Sequence, residues 1–422
     1  MAATSVTPGV TESVRDPEQD LLLQLLQRRS SGPDRTFGSN GIDWNRLTRL
    51  AGTGLAPYLI ARLERVGLWD QVPGEVRDQL TAVRRANGMA HLLRLRALRG
   101  ALAALDNAGI PVVVLKGMAL AYLVYSEPTL RPMQDVDLWL SPDQLEAGAE
   151  TLREAGFQFP RRTYEGRWTP GAAQDGDDRA LEVPGTPIFL ELHGGLPSWA
   201  GFPVAVTTAA WTRAQSVPLG DVVAHVLAPE DLLLHVALHL SRRHLFRSGL
   251  QGVVDLTLVL EHWRDRWQWA ALAEDYERLG VTQWMRLALR MAKLLLDAPV
   301  PQEGFRLLPA AHDAAEMERL ALAQIWNAGA GLPHALERVV GGERRLPWIK
   351  NRVLAYLRGQ PWQAGRRLWF DVATKLPRYL RLLARGELRG GQFTDQLRLV
   401  RERSRLASLV DAAERASAGR DR

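Results

Sequence analysis

The sequence predicts an α+β protein, a small mixed β-sheet core embedded in predominantly helical N- and C-terminal regions. Three observations predict it. Long stretches with apolar residues at helical spacing stand on both sides of a central window. Inside that window, short β-branched or alternating runs take turns with helix-period segments. The whole is 422 residues, 46% hydrophobic and 24% charged, an ordinary globular composition. At roughly 100–200 residues per domain, that length holds more than one core.

The elements follow in order. Residues 1–18 are rich in Ser, Thr, Pro and Gly and read as a frayed start. Asp20–Arg28 reads as a short helix. Helix also runs between Asp43 and Val66, with Leu47, Leu50, Leu55, Leu59 and Leu63 near helical spacing and Gly52, Gly54 and Pro57 dividing it into two pieces. A long helix spans Gly74 to Ala108 and stops at Gly109. Val112–Leu115 is a β-branched strand. Lys116-Gly117 ends it, and Met118–Tyr125 is the next helix. Asp135–Leu140 is a second strand, and Ser141-Pro142-Asp143 starts a helix that runs to Ala155. Phe157–Phe159, Arg179–Val183 and Pro187–His193 complete the strands. After Pro229 helices are expected at 230–241, 248–263, 268–279, 281–297 and 312–328. Broken amphipathic helices follow, punctuated by Pro347, Pro361 and Pro377. The expected divisions are 1–108 (N-terminal helical region), 109–227 (sheet-containing core), 228–340 (helical domain) and 341–422 (basic helical end).

Composition excludes several classes. With no cysteine there is no disulfide, no thiolate nucleophile and no cysteine-ligated zinc or iron–sulfur cluster. The first twenty residues lack the basic-then-apolar pattern of a secretory leader. No window offers ~18 uninterrupted apolar residues, so no transmembrane helix is expected. These features fit a cytoplasmic protein. Charge is unevenly spread: Arg344–Arg405 holds sixteen Lys or Arg against four acids, +12, so the remainder must sum to −6 for the net +6. A mildly acidic body with a basic end suggests an anionic partner. Trp362, Trp369 and Tyr379 interleave with arginines there, which suits nucleic acid, a membrane surface or a cap docked on the acidic body.

Chemistry concentrates in Asp135-Val136-Asp137. On a strand, residues i and i+2 share a face, so two carboxylates stand side by side while Val136, Leu138 and Leu140 face the core. Like charges that close resist joint ionisation unless a cation joins them, and magnesium favours a few carboxylates plus phosphate oxygens. Upstream, Lys116-Gly117 stands where a strand opens a helix. Helix-start amides attract phosphate, glycine allows close approach and lysine adds a charge; an ordinary strand-to-helix turn is the alternative. Arg131 suits a polyphosphate or a structural ion pair. Glu191 lies in the run PIFLELH, as a site carboxylate or an edge-strand surface residue, and His193 shares its face as a phosphate or acceptor contact or a structural histidine. His235 and His239, four apart with Asp231 a turn earlier, have zinc-compatible spacing, but Val236 stands where a protease glutamate would be, and core packing explains them better. Asp255, among Val253, Val254 and Leu256, calls for a buried hydrogen bond or ion pair. Arg242, Arg243 and Arg247 near His244 read as a solvated face or a phosphate route.

Leu115-Lys116-Gly117, then Arg131-Pro132-Met133-x-Asp135-Val136-Asp137-Leu138, then Glu191-Leu192-His193 resemble the bacterial uncharacterised nucleotidyltransferases of the DNA polymerase beta-like superfamily. The likeness continues through Ala228–His235, His239 and Val254-Asp255-Leu256, roughly residues 90–300. The resemblance implies magnesium-dependent transfer of a nucleoside monophosphate from an NTP such as ATP to an unidentified small molecule, peptide or protein. Asp135, Asp137 and Glu191 would be the catalytic and metal residues. Lys116, Gly117, Arg131 and His193 would bind the nucleotide. Two departures stand out: the superfamily's Gly-Ser pair is Lys116-Gly117 here, and its third acid is more often aspartate than glutamate. The alternatives are a non-catalytic binding protein on the same fold and a nucleic-acid-binding protein using the basic end.

Overall fold

The structure, a computed structural model, describes residues 17–27, 41–159, 178–328 and 390–418. These fall into two compact units. The first comprises the described residues of Met1–Thr163, Trp168–Arg243 and Leu250–Ala310; the second comprises those of His244–Gly249 and Ala311–Arg422. The proline-punctuated tail with Trp362, Trp369 and Tyr379 lies outside the described residues. Among those described, no helix is long and apolar enough to cross a membrane.

The first unit opens with α1 (Pro17–Leu26), α2 (Trp44–Arg65) and α3 (Gly74–Asn107). Gly52 takes φ 63° inside α2, so the chain kinks there as its glycines predict. Buried Arg62 of α2 donates through Nε to the Leu25 carbonyl (2.6 Å) and through Nη2 to that of Gln27 (2.7 Å), satisfying acceptors that the end of α1 leaves open.

The sheet has six strands: β1 (Val113–Val114), β2 (Asp135–Trp139), β3 (Asp178–Glu182), β4 (Phe189–His193), β5 (Gln215–Leu219) and β6 (Val222–Val226). Their order is β3-β4-β2-β1-β6-β5. The β2/β4 and β1/β6 pairs are parallel and the others antiparallel, so the sheet is mixed. Between strands come α4 (Lys116–Leu123), α5 (Leu145–Glu154) and α6 (Val204–Thr212). Val226, Val114, Leu138 and Leu192 stand in register across four strands, each at most 2% exposed, and pack with Leu98, Ala101 and Leu105 of α3 and Leu145, Ala149 and Leu152 of α5. One face of the sheet is thus the core, which leaves the other for chemistry.

Helices α7 (Pro229–Leu238), α8 (Gly249–His262), α9 (Trp269–Arg278), α10 (Thr282–Leu296) and α11 (Gln302–Leu307) follow, with a π-helical turn, His239–Arg243, extending α7. In the second unit α12 (Ala314–Trp326) packs with the helix Gly390–Ala418: Gln324 Nε2 donates to the Leu399 carbonyl at 3.3 Å, and Arg405 pairs with Glu316 at 2.7 Å.

Within the described residues, the predicted strands and helices are present with shifted ends, save at Phe157–Phe159, where only a single bridge from Gln158 to Glu182 forms. The helix expected from Met118 starts at Lys116. The hairpin β5–β6, and helices α6 and α11, were not expected. A proline at position 218 argues against a central strand; β5 accommodates it because it is the edge strand.

Candidate active site

Strand alternation places Asp135 and Asp137 on the sheet face opposite Val136 and Leu138. Asp137 stands directly across from Glu191 in the parallel β2/β4 pair, and Trp139 across from His193. Four chemistry-bearing side chains therefore share one face: Asp135, Asp137, Glu191 and His193. Trp139, on the same face, packs edge-on against Trp211 of α6 with ring centroids 4.7 Å apart.

Asp137 is the centre. It is 3% exposed. Its Oδ1 accepts from Lys116 Nζ at 2.7 Å and from His193 Nε2 at 2.8 Å. His193 Nε2 also lies 4.0 Å from Glu191 Oε2. The Leu115 amide donates to the Asp137 carbonyl at 3.0 Å, which fixes the end of β1 beside this residue and delivers Lys116 to it.

Lys116 is the first residue of α4 and has φ 40°, in the left-handed region. Such a conformation costs a β-carbon-bearing residue about 1–3 kcal/mol. Gly117 is a glycine for a different reason. A β-carbon there would stand 3.1 Å from Arg131 Nη1 and 3.1 Å from Met133 Sδ, so position 117 needs space where position 116 bears the torsion. No side chain caps the amino end of α4.

Burial sets the protonation states. Burial raises the Asp137 pKa, but the Lys116 and His193 charges outweigh it and hold the carboxyl well below the usual range. Burial, followed by the charges of Asp135 and Asp137, pushes Glu191 up to about 7. Burial and Asp137 likewise raise Asp135. Burial pulls Lys116 down, yet Asp137, Asp135 and Glu191 together leave it raised, so it stays an ammonium.

Among the described residues, one set of metal-capable side chains converges: Asp137, Glu191 and His193 offer ligand atoms within 4.8 Å of one another. Two carboxylates and an imidazole suit a divalent cation such as magnesium or manganese, manganese taking the nitrogen more readily. Asp135 adds a carboxylate on the same face but is not one of the three.

Arg131 lies behind this centre. Its Nε and Nη2 fork onto Asp255 of α8 at 2.9 and 2.8 Å, and Tyr125 Oη donates to the same carboxylate at 2.7 Å. Of the two readings of Arg131, the ion pair is the one present, and it is also the buried pairing that Asp255 called for. His235 is a core histidine. Its Nδ1 pairs with Ser198 Oγ at 3.0 Å, burial lowers its pKa to about 3, and its ring centroid is 5.9 Å from that of His239. Asp231 accepts a fork from Arg213 at 2.7 and 3.0 Å. Arg242 donates to the Ala200 carbonyl at 3.0 Å.

Sequence reasoning missed Arg94 of α3. It is 7% exposed; its Nη2 reaches the Gln134 carbonyl, next to Asp135, at 3.5 Å, and its buried Nε and Nη1 have no hydrogen-bond partner among the described residues. Burial lowers its pKa, with the Asp135 charge working the other way. Nothing in an Ala/Leu/Arg-rich helix distinguishes this arginine from its neighbours.

A family model described as "Uncharacterised nucleotidyltransferase" matches residues 40–297, more than half of the chain. The chain belongs to this nucleotidyltransferase family. The matched segment carries every residue of the centre, from Arg94 through Lys116, Asp135, Asp137, Glu191 and His193 to Asp255. No match was found among curated proteins or among solved structures.

Proposed function

We propose that the protein is a magnesium-dependent nucleotidyltransferase of the DNA polymerase beta-like superfamily, in bacteria a cytoplasmic enzyme. It moves a nucleoside monophosphate from an NTP, ATP among the candidates, to a hydroxyl on a small molecule, peptide or protein. The catalytic core is residues 109–227. One observation carries the reading: within a family-matched segment, Asp135, Asp137, Glu191 and His193 share a sheet face beside the uncapped start of α4 and its lysine.

Asp137 and Glu191, with His193 and Asp135 adjoining, would hold the divalent cation, which neutralises charge on the phosphate oxygens. Lys116 and the first amides of α4 bind the triphosphate, because the positive end of a helix favours anions. Gly117 keeps that turn close to the sheet, and Arg131, fixed by Asp255, supports it. Glu191, on the same face as the two aspartates, takes the acceptor's proton. The acceptor oxygen attacks the α-phosphorus, the bond to the β-phosphate oxygen breaks, and pyrophosphate leaves. Catalysis is then mainly positioning and charge compensation.

The test is calorimetry and pyrophosphate release with each NTP and Mg2+, comparing wild type with Asp135→Asn plus Asp137→Asn. The expected outcome is loss of Mg2+-dependent nucleotide binding and of pyrophosphate release with an unchanged circular-dichroism spectrum. Equal binding by the double variant refutes the assignment.

A further inference from the structure

Carboxylates this close to one another need a cation. In the structure the cation is part of the chain. Lys116 Nζ donates at 2.7 Å to Oδ1 of Asp137, whose side chain is 3% exposed against 26% for Glu191, and the lysine side chain is only 19% exposed. Asp135 and Glu191 both act on the same ammonium. The backbone accepts a left-handed φ of 40° at Lys116, a conformation that disfavours a residue with a β-carbon, to hold it there. His193 Nε2 donates to that same Oδ1, so two of the atoms that would meet a metal ion are already committed to each other and to the lysine.

We propose that Lys116 is a resident counter-ion, a tethered ammonium that takes the cation position on Asp137 until a divalent cation binds and displaces it. The inference rests on the metal-binding part of the reading above and adds a regulation to it. The divalent ion must compete with an intramolecular cation, so the bare protein binds it weakly. The displaced ammonium remains at the amino end of α4, where a phosphate chain is its next partner. Cation and nucleotide therefore favour each other: the nucleotide gives Lys116 somewhere to go, and the cation frees Lys116 to meet it.

Mn2+ alone, titrated calorimetrically into wild type, Lys116→Met and Lys116→Arg, tests this. In parallel, wild type is acetylated with and without Mn2+ and its lysines are mapped by mass spectrometry. The mapping is simple because the chain has four lysines, and surface-paired Lys293 serves as the internal reference. The expected result is at least ten-fold tighter Mn2+ binding by K116M, wild-type-like weak binding by K116R, and a Mn2+-dependent rise in acetylation at Lys116 relative to Lys293. Mn2+ binding by K116M no tighter than by wild type overturns the proposal and leaves the nucleotidyl-transfer reading standing. Tighter K116M binding with unchanged wild-type acetylation also overturns it, because the lysine then repels the ion without leaving its place. If no form binds Mn2+, this inference and the metal assignment fall together. Should K116M fail to fold, the wild-type acetylation alone decides.

Discussion

Glu191 keeps its proton further into the neutral range than an ordinary glutamate does. Its carboxyl is held at about 7 by burial and by Asp135 and Asp137, against an ordinary value of 4.5. Below about pH 4.5 folded and unfolded chains both keep the proton, and Glu191 contributes no pH dependence. Between that pH and 7 the folded chain holds a proton the unfolded chain has released, so stability falls as pH rises; above 7 the whole cost is present. Glutamine cannot ionise and escapes that cost. Glu191→Gln should therefore match wild type near pH 4.5 and exceed it at pH 8 by about 1–3 kcal/mol in metal-free urea unfolding, a figure discounted for partial exposure. A pH-independent difference between the two would show that the acid cluster does not strain the fold.

Between elements, the Arg131–Asp255–Tyr125 cluster joins α8 to the segments that precede β2 and follow α4. Arg131 is 11% and Asp255 8% exposed at the side chain, so removing one partner leaves the other's charge buried. Asp255→Ala should cost about 3–5 kcal/mol in urea unfolding, and an added Arg131→Met should recover a large part of that. Absence of recovery would mean that the pair holds α8 in register by more than its charge. The cluster also marks the limit of what the sequence discloses. Asp135, Asp137 and Glu191 were legible because a strand's two-residue period assigns faces locally, and Val136, Leu138 and Leu140 named the other face. Asp255 was legible only as a carboxylate in need of a partner: Arg131 is 124 residues away, and nothing local encodes that meeting. The same holds for Lys116. A strand-to-helix turn is visible in the sequence, but its left-handed torsion and its contact with Asp137 arise only once β1 and β2 pair. The β5–β6 hairpin was hidden by Pro218, although Gly220-Asp221 is a recognisable two-residue turn.

For the molecule as a whole, charge and chemistry occupy different stretches of chain. Every residue of the candidate centre belongs to the first compact unit, and the family match ends at 297, before that unit's last residue, Ala310. The +12 of Arg344–Arg405 lies beyond it. Cutting the chain just before that stretch would strip α12 of the Gly390–Ala418 helix against which Gln324 and Glu316 are bonded, so Ala310 is the better place to divide it. A chain ending at Ala310 should melt cooperatively and bind Mn2+ and NTP as the full chain does, since no ligand of the centre is lost. It should differ in one respect. If the basic end meets a phosphate backbone, the full chain binds single-stranded RNA with log K falling by about 0.7 per phosphate contact for each unit of log[salt]. Some six contacts then weaken binding at least ~100-fold between 50 and 200 mM salt. The chain ending at Ala310 should lack that binding, as judged by fluorescence anisotropy across the same range. A shallow salt slope in the full chain, or equal RNA binding by both chains, would take the polyanion away from the basic end. Loss of NTP binding by the shorter chain would instead show that the centre depends on residues after 310.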